Sequence, residues 1–367
     1  MSATHPSTRP AARRVRRRLE PKVRVHRAVN RWLGPLWVWG VLIALVVIAI
    51  YTVPQFATLD NYKNILKQAV PLALVAIGQC GVIILGGIDL SVAAVMSLGD
   101  TLSMGIMNGG SGSILFAIVA PLGLGLLIGA ANGAVVAKTA APAFIVTLGA
   151  ASIVQGVVFW YTHSAPYGAP ALSFGELGFK EYGPLPALVV LFIPILALAL
   201  IVQNRTRAGR HAYAVGDDDQ VAARAGVNVT RVKVATYALC GFFAALAGIA
   251  VATRTGSGEP LAGTGFDWDS ISAVVIGGAI LVGGRGTIGG TMAGVLIITL
   301  IENAMTLKDV SPFWQSTVKG VIVLIAVIIA AMTAKETLGR LLRWRPMDAF
   351  RPRVAARPSA TGEGGAA

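Results

Sequence analysis

Asp100, Glu302 and Lys319 are ionisable side chains set inside long apolar runs, where an unpaired charge is expensive and faces a cavity or another charge. Glu302 and Lys319 lie toward the same end of neighbouring runs, which suits an ion pair. Asp100 stands near Ser97, Thr101 and Ser103. Two roles stay open for it, lining a polar path or holding helices together by hydrogen bonds. Gln79, Asn132, Gln155 and Asn303 are uncharged polar candidates of the same grade. Their amides suit contact with hydroxyl-rich solutes, or with a neighbouring helix.

Two glycine turns could act as gates. Gly86-Gly87-Ile88-Asp89-Leu90-Ser91 permits a sharp reversal, and Asp89 and Ser91 are placed to cap a helix starting near residue 92. Gly283-Gly284-Arg285-Gly286 joins two apolar segments. The stretch from Gly284 to Gly289 formally matches G-x-G-x-x-G. It lacks the preceding strand and the acid about 20 residues on that a dinucleotide site needs, so a turn between packed helices explains it better.

A longer polar stretch, 204–232, reads as a surface element. Asp217, Asp218 and Asp219 sit where a short helix would start, favourably placed against its positive end, and Gly226 suits the C-terminal cap. A plain connector needs neither that length nor a preformed helix, so partner docking is the expected role.

Several chemistries are absent from the sequence. There is no G-x-x-x-x-G-K-[ST] phosphate loop, no H-E-x-x-H zinc site and no G-x-S-x-G elbow. Cys80 and Cys240 lie in apolar runs and offer no disulfide framework. Neither an enzyme nor a cofactor nor a resident metal is expected.

The elements that must position these groups are membrane spans. Of 367 residues 55% are apolar, 13% are charged, and mean hydropathy is +0.69. Runs of about 20 apolar residues fall near 36–53, 67–85, 90–107, 114–137, 143–161, 185–203, 233–253, 271–282, 287–305 and 314–334. The run 271–282 is too short to cross alone and reads as broken or re-entrant. The expectation is an all-α polytopic membrane protein of about ten transmembrane helices, one short or broken.

The net charge of +14 is concentrated in flanks and loops: ten Lys/Arg within 1–35 and seven within 335–367. With both termini cytoplasmic, 25 of the 31 basic residues fall inside, as the positive-inside bias requires. The basic ends suit anionic membrane lipid rather than nucleic acid, for which no module is visible. The domain division expected is a basic tail over 1–35, a transmembrane domain over 36–334 that includes the 204–232 loop, and a partly disordered tail over 335–367. The basic first region is read as the flank of a retained anchor, not a cleaved leader. Gly125-x-x-x-Gly129-x-x-x-Gly133 and Gly290-x-x-x-Gly294 predict close helix packing.

Four stretches together resemble the permease subunit of bacterial ABC sugar importers of the ribose/xylose type. They are Gly86–Val92; Pro142–Gly149; Ala214-Val-Gly with Ala222 and Gly226-Val-Asn, running into Tyr237-x-x-x-Gly241 and Gly248; and Ile271–Gly278 with Gly283–Gly286 and Gly290. The resemblance covers roughly 60–335. It implies a subunit forming the translocation path in the bacterial inner membrane, usually as a pair and expected here as a homodimer. Cytoplasmic ATP-binding subunits would supply energy and an extracytoplasmic sugar-binding protein would deliver solute. It also implies that Gly216, Asp217, Asp218, Asp219, Ala222 and Gly226 belong to a coupling element docking on the ATPase. Ala93-Ala94, Asp217-Asp218 and Glu302 depart from the family's usual Gly-Ser, Gly-Asn and Asn. A related branch carries branched-chain amino acids. The rival outside the resemblance is a secondary transporter driven by an ion gradient, titrating Asp100 or Glu302.

Overall fold

The computed structural model describes residues 32–322 except 140, together with 324 and 328. Of the tail expected over 1–35 only 32–35 is described; the rest of it, the tail expected over 335–367 and most of the run 314–334 beyond 322 lie outside the described residues. Helices α1 (Leu36–Thr52), α2 (Leu59–Ile84), α3 (Val92–Met107), α4 (Ile114–Lys138) and α5 (Ala143–Thr162) come first. A short helix α6 (Leu172–Phe179) and a two-stranded antiparallel hairpin follow, β1 (Glu181–Tyr182) with β2 (Leu185–Pro186). Then come α7 (Ala187–Arg205), α8 (Arg207–Asp217), α9 (Asp219–Arg224), α10 (Val229–Thr255), α11 (Phe266–Ile276) and α12 (Ile288–Leu307). A last helix, α13, is described over 312–322.

Six helices among the described residues are long and apolar enough to cross a membrane: α2, α4 with its preceding turn, α5, α7, α10 and α12. Two more, α1 and α3, are apolar but shorter. The centre of the bundle is α2, α3 and α12, mostly buried, with α10 wedged between α2, α3 and α4. By contrast α4, α5 and α7 turn Leu115, Leu127, Ile153, Trp160 and Leu198 outward. Apolar residues on outer and inner faces alike are the mark of a helix whose solvent is lipid.

Lipid gives helices no hydrophobic drive to associate, so close backbone approach must hold them. The small-residue stripes supply it within this chain. Gly125, Gly129 and Gly133 of α4 lie against the backbone of Gly241, Tyr237 and Val234 on α10. Gly290 and Gly294 of α12 lie against Gly277, just beyond the end of α11, and Ala273, within its last turn. A methyl group at most of these positions would meet main chain, which cannot rotate aside.

The short span near 271–282 is broken. Its helical half begins earlier, at Phe266, and ends at Ile276. The residues before it, 256–265, run without regular helix down the side of α3. The N–H of Glu259 donates to Asp100 Oδ2 (2.9 Å), and that of Gly263 to Ser97 Oγ (3.0 Å). The reading of the 204–232 stretch needs enlarging: it carries two helices rather than one, since α8 precedes the short α9. Asp217 ends α8, Asp218 caps α9 by accepting from Val221 N (2.9 Å), and Asp219 is its first residue.

Candidate functional site

The chain reverses at Ile84 because Gly86 takes φ +78°, a conformation L side chains resist. The second turn does the same with Gly283 (φ +99°) and Gly284 (φ +72°). The two turns meet. Gly284 N donates to Ile84 O (2.9 Å), and Gly283 sits against the backbone of Gly86. The end of α8 closes on the same point, with Gly216 against the carbonyl of Ile84 and the amide of Gly284. Tyr213 of α8 donates its hydroxyl to Gly286 O (2.6 Å). Residues far apart in sequence, expected as coupling element and as gate turns, therefore form one cluster at one end of the bundle.

Its surface is mixed. Asp217, Asp218, Asp219 and Arg285 are exposed beside Val221 and Val282, which are 59% and 80% exposed. Ala222 is buried beneath α9, and Gly226 (φ +85°) closes the helix with its N–H on Ala223 O (3.0 Å). Asp219 also meets Lys233 Nζ of α10 at 3.4 Å, an exposed and weak contact.

Just inside this end lies a polar cluster. Ser91 takes the N-cap position of α3, but neither it nor Asp89 caps the helix through its side chain: the Ser91 hydroxyl donates to Asp89 Oδ1 (2.6 Å), and its N–H donates to the same oxygen (2.9 Å). Asn132 Nδ2 of α4 donates to Ser91 Oγ (2.9 Å). Gln79 of α2, with its amide oriented to pair, donates to Asp89 O (3.2 Å) and accepts from Asp89 N (3.3 Å). Thr147 of α5 accepts from Leu90 N (3.1 Å) and donates to Ile88 O (3.2 Å). Gly87 carries no side chain because the Tyr237 hydroxyl occupies that space. The turn is thus pinned to α2, α4, α5 and α10.

Other candidates lie elsewhere. Asp100 is fully buried with one oxygen on Glu259 N and the other unpartnered. Gln155 Nε2 donates to Pro260 O (2.9 Å), fastening the same 256–265 segment to α5. Asn303 exchanges amide hydrogen bonds with Asn61 of α2 (2.7 and 3.0 Å). Glu302 pairs with Lys319, as its spacing predicts, and Lys319 Nζ also reaches Asp269 Oδ2 at 2.9 Å. Asp269 escaped the sequence reading because it stands two residues before the apolar run; an acid flanking a run that holds an unmatched lysine was the available signal. In this conformation Asp100 and Gln155 fasten the 256–265 segment to the bundle, while Asn303, Glu302 and Asp269 tie helices together.

At the opposite end, which carries the hairpin, Glu181 of β1 meets Lys63 Nζ (2.6 Å) and Lys67 Nζ (3.2 Å) of α2. Hydrogen bonds from both lysines hold its carboxyl below the usual glutamate range.

Six membrane-length apolar helices locked by glycine contacts, with a two-helix projection between two of them, define a polytopic membrane protein. The chain belongs to the family described as branched-chain amino acid transport system / permease component, whose model matches residues 61–327. It is 38% identical over 309 residues to the ribose import permease protein RbsC of Escherichia coli K12, covering 82% of this chain and 96% of that one. Against the ribose import permease protein RbsC of Bacillus subtilis 168 the identity is 36% over 308 residues, covering 82% and 93%. The L-arabinose transport system permease protein AraH of Escherichia coli K12 is 36% identical over 299 residues, covering 80% and 91%. No solved structure matches the chain. It is a multi-pass membrane permease.

Proposed function

We propose that the chain is the translocation subunit of an ATP-driven importer of a monosaccharide, ribose or a close relative, and that the Gly86–Gly216–Gly284 cluster is where ATPase motion enters the bundle. The relatives named for ribose and L-arabinose import support the substrate class. The carrying observation for coupling is the backbone contact of Gly216 with Ile84 and Gly284. With no side chain between them, a push on α8 and α9 moves the ends of α2 and of the α11–α12 turn as one body. Packed interfaces of this kind switch between discrete arrangements rather than deforming smoothly.

In this reading α8 and α9 face the cytoplasm, both termini lie on that side, and ten crossings are completed by α1, α3, the broken 256–276 segment and α13. The exposed Asp217–Asp219 and Val221 are the docking surface for the ATP-binding subunit, a second copy completes the path, and a sugar-binding protein docks at the hairpin end. Alternating access then needs each partner to bind one state better than the other, since a partner indifferent to state shifts nothing.

The test is the double variant Asp217→Lys/Asp219→Lys, which leaves the Asp218 cap intact. Sugar-stimulated ATP hydrolysis and uptake by the assembled complex should fall at least tenfold while the melting temperature of the permease stays within about 2 °C. Unchanged uptake would remove the docking assignment.

A further inference from the structure

Residues 256–265 pose a problem that the rest of the bundle does not. Gly258 lies against Thr101 and Met104 of α3, Glu259 on Asp100, and Gly263 on Ser97 and Ala93. From Met104 to Ala93 the segment descends about 16 Å of helix, at 1.5 Å per residue. That stretch of α3 is level with the middle of α10, because Gly99 abuts Ala245 and Gly248 abuts Met96. The segment thus reaches about 15 Å below the hairpin end of α10, into hydrocarbon depth.

At that depth non-helical backbone persists only where it is buried in protein or lines water. Here Ala262 N bonds Glu259 O and Thr264 N bonds Leu261 O, but the Leu261 and Gly265 amides are left without a partner among the described residues. Yet the outward side of this segment is bare. Leu261 is 60% exposed, Thr264 is exposed, and Trp268, one turn on along the same side of α11, is 56% exposed. Elsewhere at this depth, the exposed faces of α4, α5 and α7 are regular helix with apolar side chains.

We infer that Leu261, Thr264 and Trp268 form the solute-contacting wall of the aqueous path, with Trp268 the principal surface for the sugar ring. The inference rests on the importer reading above and names its substrate-facing residues. An indole offers a flat apolar face to the C–H side of a sugar ring, and its N–H and the Thr264 hydroxyl offer hydrogen bonds to ring hydroxyls. These three side chains carry no charge, so the wall suits a neutral polyhydroxy solute. The hydrogen bonds from Glu259 and Gly263 to Asp100 and Ser97, with Gln155 on Pro260, hold the wall in place.

The test uses the complete complex of permease, ATP-binding subunits and sugar-binding protein in proteoliposomes, with ribose, L-arabinose and galactose as probes. Thr264→Cys should react with a membrane-impermeant maleimide during turnover, and the transported sugar should slow that reaction at least threefold. Leu127→Cys, on the outward face of α4, should stay unlabelled. Trp268→Ala should lower uptake at least tenfold, and Trp268→Phe should keep it within threefold of wild type. Thr264→Cys left unlabelled in a transporting complex overturns the inference, as does self-crosslinking of Trp268→Cys between two copies without labelling, which would make this face a subunit contact. Labelling without sugar protection, or normal uptake by Trp268→Ala, also overturns it. Absence of uptake of all three sugars by the wild-type complex would instead count against the importer reading.

Discussion

Gly216, one residue from the end of α8, packs against the carbonyl of Ile84, the last residue of α2. Because both partners are main chain, an added methyl at Gly216 has nothing soft to displace. Gly216→Ala is expected to destabilise the permease by about 1–3 kcal/mol, the usual cost of overpacking a tight site, and to lower uptake. Thermal melts of the purified chain beside uptake measurements check it. An unaltered melt would mean that the two backbones are not in fixed contact.

Gly226 offers the contrast. It also has positive φ, but open space surrounds it. Gly226→Ala should therefore cost only the left-handed strain, about 1 kcal/mol, with uptake retained within about threefold. A collapse as large as that of Gly216→Ala would show that Gly226 touches something in the working complex.

Lys319 stands between Glu302 and Asp269. Lys319→Met leaves a buried Asp269 and a partly buried Glu302 without their cation. The expected loss is about 2–3 kcal/mol, below the roughly 3–5 kcal/mol of breaking a fully buried pair, because Lys319 keeps 30% of its side-chain surface exposed. Adding Glu302→Gln should recover part of that loss. If the double variant melts below the single one, the triad is not the source of the effect. The same pair bears on the ion-gradient rival: a Glu302 already matched to a lysine leaves Glu302→Gln with uptake largely intact.

Glu181 gives the pH dependence. Its carboxyl titrates below the ordinary glutamate value of 4.5 because Lys63 and Lys67 favour its charged form. A lowered folded pKa contributes stability that is present above 4.5 and is lost as pH falls through the lower folded value. The protection of amides 181–185, taken relative to their intrinsic exchange rates at each pH, should thus stay constant around pH 6 and fall as the pH drops below 4.5. Glu181→Gln should abolish that acid transition. Its persistence in the variant would assign it to another group.

Much of this architecture is legible in the sequence because lipid imposes simple rules. Apolar runs locate α2, α4, α5, α7, α10 and α12 to within several residues at most ends, and glycine spacing anticipates the α4–α10 and α11–α12 contacts. The broken span is legible only as a shortage of apolar residues at 271–282. Its missing half, 256–265, has Gly at four of ten positions and hides among the loops. The hairpin Glu181–Pro186 is too short to leave a period, and α8, with Arg207, Arg210 and His211 along it, reads as loop rather than helix. Convergence of Gly86, Gly216 and Gly284 belongs to tertiary structure, and no local pattern announces it.

The most direct test is uptake by purified chain in liposomes, measured with and without its ATP-binding subunits and sugar-binding protein. The account predicts accumulation of sugar only in the complete assembly and only with ATP. Accumulation by the chain alone, driven by a proton or sodium gradient, would contradict it.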